Sequence, residues 1–268
     1  MIRLVVSDID GTLVRKDKSL SDVNVAAVGR LVDAGIAVTL ISARPPSGMM
    51  WIAESLKLAG PFGAFNGGTL FMADGTVTEH HMLDDGVAGE VLAHLEGQPV
   101  IRWLFADGDW LASEADGEHT PREIKSAGVQ PIVGPDFGDR VRRADKIVAV
   151  TDDVELLDRI EQEVKALVGD RATVARSQTY YLDITAPVGN KGDGITALCK
   201  AYHVVLEDTV ALGDQANDLP MFARAAYSVA MGQAPDPVKA AAKDIAASND
   251  DDGVADAIDR FILPKVQK

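Results

Sequence analysis

Short apolar runs closed by polar turns dominate both ends of the chain, while the middle alternates in shorter steps. Residues 2–6 are rich in β-branched side chains and give way to Ser7-Asp8, the pattern of a parallel strand buried on both faces. Over residues 21–34, Val25, Val28, Leu31 and Val32 recur at helical spacing, with Ser21 or Asp22 as N-cap and Gly35 as the stop. Residues 36–41 form a second apolar strand that ends at Ser42-Ala43-Arg44. Strand, helix and strand over this length make a βαβ unit. The same grammar returns late in the chain. A helix over 192–202 leads to a strand at 209–212 ending at Gly213-Asp214, then to a helix over 218–225 and a strand at 227–230. The stretch 254–262 is again helical in pattern.

The middle reads differently. Residues 100–113 suggest two strands around an Asp107-Gly108-Asp109 turn, 146–150 a strand, 154–168 a helix and 179–185 another strand. Turn residues Asp84-Asp85-Gly86 and Pro187-Val188-Gly189-Asn190 are natural hinges on either side. The expected architecture is therefore α/β with an insertion. Residues 1–83 and 188–268 form a doubly wound, Rossmann-like parallel-sheet core, and 84–187 form an inserted α+β domain lying over the strand C-termini.

Charge narrows the chemistry. With 41 acidic and 26 basic residues the formal charge is −15, which disfavours broad electrostatic binding of nucleic acid or anionic membrane. A phosphate ester would be repelled at long range too, so a phosphorylated substrate needs cations concentrated locally, as side chains or as a metal. The single cysteine, Cys199, excludes an intrachain disulfide. No segment approaches the ~20 apolar residues that span a membrane, and the first ten residues lack a signal-peptide pattern. The expected compartment is the cytoplasm, and monomer and dimer both fit.

Four polar clusters fall beside strand ends or helix starts. Asp8-Ile9-Asp10-Gly11-Thr12-Leu13 follows the first strand, and carboxylates two apart there share a side, where open α/β sheets bind ligands. An acidic turn alone would also look like Asp-x-Asp; Gly11 and Thr12 sharpen the reading, because a tight loop can aim N–H groups at an anion. Ser42 offers a hydroxyl to a phosphoryl oxygen at the next strand end, although a helix cap reads the same way. Lys191 stands near a helix start, against the dipole preference for cations at the other end. Gly213-Asp214-Gln215-Ala216-Asn217-Asp218 gathers oxygen ligands suited to a hard cation such as Mg²⁺. The five histidines show no zinc-ligand spacing. Of Tyr180 and Tyr181, strand alternation turns only one toward the site.

Taken together, order and chemistry resemble the haloacid dehalogenase-superfamily phosphatases. Asp8 through Leu13 match the family's first motif, Ser42 its second, Lys191 its third, and Gly213-Asp214 through Asn217-Asp218 its fourth. The insertion resembles the type C2 cap of the Cof-like IIB subfamily. Asn66-Gly67-Gly68 and Asn249 through Val254 are further echoes, and Gly232-Gln233-Ala234 departs from a frequent Gly-Asn-Ala. The resemblance implies that Asp8 attacks phosphorus and that Asp10 protonates the leaving group and then activates water, as a carboxyl exchanging protons near neutral pH. It implies Mg²⁺ held by Asp8, the Asp10 carbonyl and Asp214, with Asn217 or Asp218 completing the shell. Ser42 and Lys191 would bind phosphoryl oxygens, with Thr12, Ala43, Arg44 and Asn217 also at the substrate. The expected substrate is a small phosphorylated metabolite such as a sugar phosphate; a phosphosugar mutase and a non-catalytic metabolite-binding relative are the alternatives.

Overall fold

The structure, a computed structural model, describes residues 1–266. In the first βαβ unit, β1 (Leu4–Ser7) and β2 (Ala37–Leu40) flank α1 (Asp22–Asp33), whose N-cap Ser21 accepts from the Asn24 N–H. Helix α2 (Met50–Ser55) precedes an antiparallel set, β3 (Phe62–Ala64), β4 (Thr69–Phe71) and β5 (Val77–His80). The insertion follows in the order α3 (Asp85–Glu96), β6 (Ile101–Ala106), β7 (Asp109–Ala112), α4 (Thr120–Ala127), β8 (Ile132–Val133), β9 (Ala144–Val150), α5 (Val154–Val168), β10 (Thr173–Gln178) and β11 (Tyr181–Thr185). The chain then returns through α6 (Lys191–Ala201), β12 (Thr209–Gly213), α7 (Leu219–Arg224), β13 (Tyr227–Ala230) and β14 (Asp244–Ile245).

Five strands form a parallel sheet in the order β14-β13-β12-β1-β2. Both faces of β1 are buried, which is why its sequence is continuously apolar. Leu4 and Val6 pack with Ile195, Leu198 and Cys199 of α6, and Val5 packs on the opposite side with Val28 and Leu31 of α1. Register positions the chemistry. Ser7 lies opposite both Leu212 and Leu40, so Asp8, Gly213 and Ile41 follow at one edge. The Asp8 N–H donating to the Leu212 carbonyl carries the ladder one residue further.

The insertion builds a six-stranded sheet, β10-β11-β9-β6-β7-β8. Its outer face, with Leu104, Ile147, Leu182 and Ile184, packs on α3 and α5. Its inner face, with Trp103, Phe105, Trp110, Val148 and Tyr181, belongs to the same apolar cluster as Phe62 and Phe65 of the core. Trp103 and Trp110 meet edge-on at 5.0 Å, and Phe65 meets Phe105 across the two layers at 6.0 Å. The inserted sheet is thus seated on the core by an aromatic layer. Among the described residues no helix is long and apolar enough to cross a membrane.

Two local expectations change. The last cap strand starts at Tyr181, because Thr179 and Tyr180 form the turn between β10 and β11. A turn breaks the alternation, so both tyrosines line the same cavity. Helix α4 was not legible in the pattern, although Pro121 in its first turn and left-handed Gly128 after it are ordinary helix punctuation.

Candidate active site

The strand-end loops converge where the two layers meet. Asp8, Asp214 and Asp218, all buried, present oxygen atoms within 4.8 Å of one another. Lys191, in the first turn of α6, donates to Asp8 at 2.5 Å and to Asp218 at 2.6 Å. Its apparent misplacement against the helix dipole has this cause: the side chain reaches two buried carboxylates. Burial alone would lower the Lys191 ammonium, but Asp218 and Asp8 hold it charged, above the ordinary lysine value. The other Asp218 oxygen accepts the backbone N–H groups of Asp214 and Gln215, so this residue organises its own loop.

Gly11 and Thr12 serve that geometry. The Thr12 hydroxyl donates to Asp214 at 3.0 Å. Gly11 has φ +83°, and a Cβ there would stand 2.3 Å from an Asp214 oxygen, so glycine is required by backbone and space alike. Gln233, the departure from the family pattern, donates to the Gly11 carbonyl at 2.6 Å and accepts from the Asn249 N–H at 3.0 Å. It ties the loop after β1 to the tail loop.

Asp10 is where the structure departs most from expectation. Arg44 grips its carboxylate through Nε at 2.6 Å and Nη2 at 2.8 Å, and Lys18 donates to it as well. Burial alone would raise the Asp10 carboxyl, but Arg44 and Lys18 hold it far below the usual carboxylate range. In this conformation Asp10 is a fixed carboxylate, not a group exchanging protons near neutrality. Its side chain being so engaged, its backbone carbonyl is what it has to offer a cation.

The remaining predicted residues divide. Ser42 and Asn217 line the cavity; the Ser42 hydroxyl accepts from the Arg44 N–H at 3.2 Å, and the Asn217 amide donates to Asn66 at 3.3 Å. Arg44 faces Asp10, and the Ala43 carbonyl accepts from Lys146 of the cap at 2.9 Å. Residues not singled out from sequence are Lys18, Arg122, Glu123 and Lys146, which line the same space. The cap helix α4 is brought down by Ser47, which donates to the Ala127 carbonyl at 2.6 Å. Gly48 makes that approach possible, since a Cβ there would meet the Ser126 carbonyl at 1.9 Å. The cavity volume is about 40 Å³, room for about three waters.

Three carboxylates and one ammonium leave the centre two charges negative. All donors are oxygens with no histidine or cysteine among them, which fits a hard divalent ion such as Mg²⁺. Without one, burial first and the neighbouring Asp218 next outweigh Lys191 and push the Asp8 carboxyl up to about 7. Asp214 is likewise raised, by burial and then by Asp8. The folded protein then binds more protons than the unfolded chain between the ordinary carboxylate range and about pH 7, so metal-free stability falls as pH rises through this window. Asp8 alone, shifted from 3.8 to about 7, contributes on the order of 4 kcal/mol to that trend. The opposite contribution of Asp10 lies at lower pH, outside the window. Melting curves in EDTA should show a lower Tm at about pH 8 than at about pH 5, with Mg²⁺ raising Tm more at the higher pH. A flat metal-free profile would contradict the burial of these carboxylates.

Comparison with known proteins bears on this geometry. A family model described as haloacid dehalogenase-like hydrolase matches residues 5–258. The chain belongs to the haloacid dehalogenase-like hydrolases. A 5-amino-6-(5-phospho-D-ribitylamino)uracil phosphatase of Bacillus subtilis, YwtE, is 27% identical, covering 97% of this chain and 98% of its own. A haloacid dehalogenase-like hydrolase from Bacteroides thetaiotaomicron is 27% identical with a TM-score of 0.85, over 97% of this chain and 100% of that one. The subclass IIB sugar phosphatase BT4131 shares the fold at a TM-score of 0.83 and 23% identity, over 97% and 98%. The protein is a phosphatase of this family.

Proposed function

We propose that the protein hydrolyses a small phosphomonoester, a sugar phosphate or similar metabolite, with Mg²⁺ bound and an aspartyl phosphate formed on Asp8. The observation that carries this reading is Asp8 standing within one buried cluster with Asp214 and Asp218, bridged by Lys191. Asp8 and Asp214 would hold the ion, with the Asp10 carbonyl beside them and Asp218 or Asn217 behind. Bound there, the ion neutralises the excess negative charge that would otherwise keep an anionic ester away.

The chain's own residues do the rest. An Asp8 carboxylate oxygen bonds to phosphorus as the ester P–O bond breaks. Lys191 and Ser42 hold phosphoryl oxygens in place. The departing alkoxide takes a proton from Asp10, which later receives one from the water that opens the aspartyl phosphate. Asp10 can carry a proton only when Arg44 and Lys18 loosen their hold, and both line the space the ester enters. The cap lifts to admit substrate and closes over it to exclude water.

The test is phosphate release across a panel of phosphorylated metabolites, with and without metal. Excess EDTA should reduce release at least about 100-fold, and Mg²⁺ should restore it. Release indifferent to chelation would defeat the metal-dependent reading. Turnover appearing only with a bisphosphate activator would identify a mutase instead.

A further inference from the structure

The catalytic cavity contains more polar groups than phosphoryl transfer uses. Lys18 and Arg44 are engaged by Asp10, Lys191 by Asp8 and Asp218, and Lys146 by the Ala43 carbonyl. Glu123 is different. It projects from cap helix α4, is 6% exposed, and lines the cavity. Its carboxylate receives no hydrogen bond and forms no ion pair among the described residues, although Lys146, Asp10 and Lys18 are near enough for their charges to act on it.

Three neighbours share this condition. The hydroxyls of Tyr180 and Tyr181 and the amide oxygen of Asn217 are buried without a partner, and all three residues line the same cavity. Buried polar groups ordinarily find partners, because the water they gave up must be replaced. Four unmatched groups around one small space define the complement of a ligand: hydrogen-bond donors for Glu123 and Asn217, and either donors or acceptors for the two phenols.

We propose that Glu123 determines specificity for the leaving group, selecting phosphomonoesters whose alcohol portion carries several hydroxyl or amino donors, as a polyol or amino-polyol chain does. The proposal rests on the phosphatase reading above and adds the chemistry of the alcohol to it. A carboxyl accepts from such donors whether or not it is protonated. An aromatic or apolar leaving group leaves Glu123 buried and unmatched, which is how a polar site rejects a ligand lacking the hydroxyl. Because Glu123 belongs to the cap, its bond to the ligand forms only when the cap is seated.

The experiment compares a hexitol phosphate with p-nitrophenyl phosphate as substrates for wild type, Glu123→Gln and Glu123→Ala, with Mg²⁺ present. The ratio of kcat/KM for the hexitol phosphate to that for p-nitrophenyl phosphate should fall by about tenfold or more in Glu123→Ala, mainly through KM, and by less in Glu123→Gln. A ratio within about twofold of wild type in both variants would overturn the assignment. Calorimetric titration of the hexitol phosphate and of inorganic phosphate into Asp8→Asn, with and without Glu123→Ala, separates this question from turnover. Weakening of the hexitol phosphate alone supports Glu123 even if no ester is hydrolysed. Equal weakening of both ligands, or of neither, sinks it.

Discussion

Phosphate release by Asp8→Asn should fall by on the order of 10⁴-fold or more, without loss of the fold. The amide matches the carboxylate in shape but lacks the charge proposed to attack phosphorus. The structure adds a second, less obvious expectation. Asp8 is one of three carboxylates crowded within 4.8 Å, and burial already pushes it up to about 7. Removing its charge relieves repulsion on Asp214 and Asp218 while Lys191 keeps Asp218 at 2.6 Å. In EDTA near neutral pH the variant should therefore melt at or above the wild-type temperature. Inactivity with an unchanged or higher Tm assigns Asp8 to chemistry. Inactivity with a collapsed Tm would make it structural, and activity equal to wild type would remove it from the mechanism altogether.

The core was legible because its strands are apolar on both faces and end abruptly in polar turns. Residues 2–6 and 209–212 announce themselves by composition, and the observed register of Ser7 against Leu212 brings their terminal aspartates together. Lys191 was legible for a different reason, as a cation at the wrong end of a helix. What stayed hidden depends on the fold. The pairing of Asp10 with Arg44 joins residues 34 apart at neighbouring strand ends, and no motif foretells that it holds Asp10 as a carboxylate in this conformation. Lys146 could have been assigned from alternation, since it shares the inner face of β9 with Val148 while Ile147 packs outward. Glu123 could not. Helix α4 is short and polar, and Glu123 and Ser126 are buried by the docking of the cap onto residues 46–48, not by any apolar pattern of their own. Strand alternation fails at the tyrosine pair because Thr179 and Tyr180 form a turn, and turns are where alternation ends.

Lys191→Met tests the opposite side of the charge balance. Methionine keeps much of the length and apolar body of the lysine stem, so packing changes little, but Asp8 and Asp218 lose the one ammonium that joins them. Breaking a buried ion pair from one side is harsher than replacing both partners, and costs about 3–5 kcal/mol. With three neighbouring carboxylates left, metal-free Lys191→Met should melt well below wild type near neutral pH and recover part of the loss on acidification. Added Mg²⁺ should recover part of it too, because a cation takes over the neutralising role. Turnover should not follow that recovery, since a phosphoryl oxygen then lacks its donor; a decrease of at least about 10²–10³-fold in kcat is expected at saturating Mg²⁺. The two readouts separate the two roles proposed for this residue. If Mg²⁺ restored Tm and turnover together, Lys191 would serve only to hold the carboxylates, and phosphoryl binding would have to be reassigned to Ser42 and the cavity's other cations.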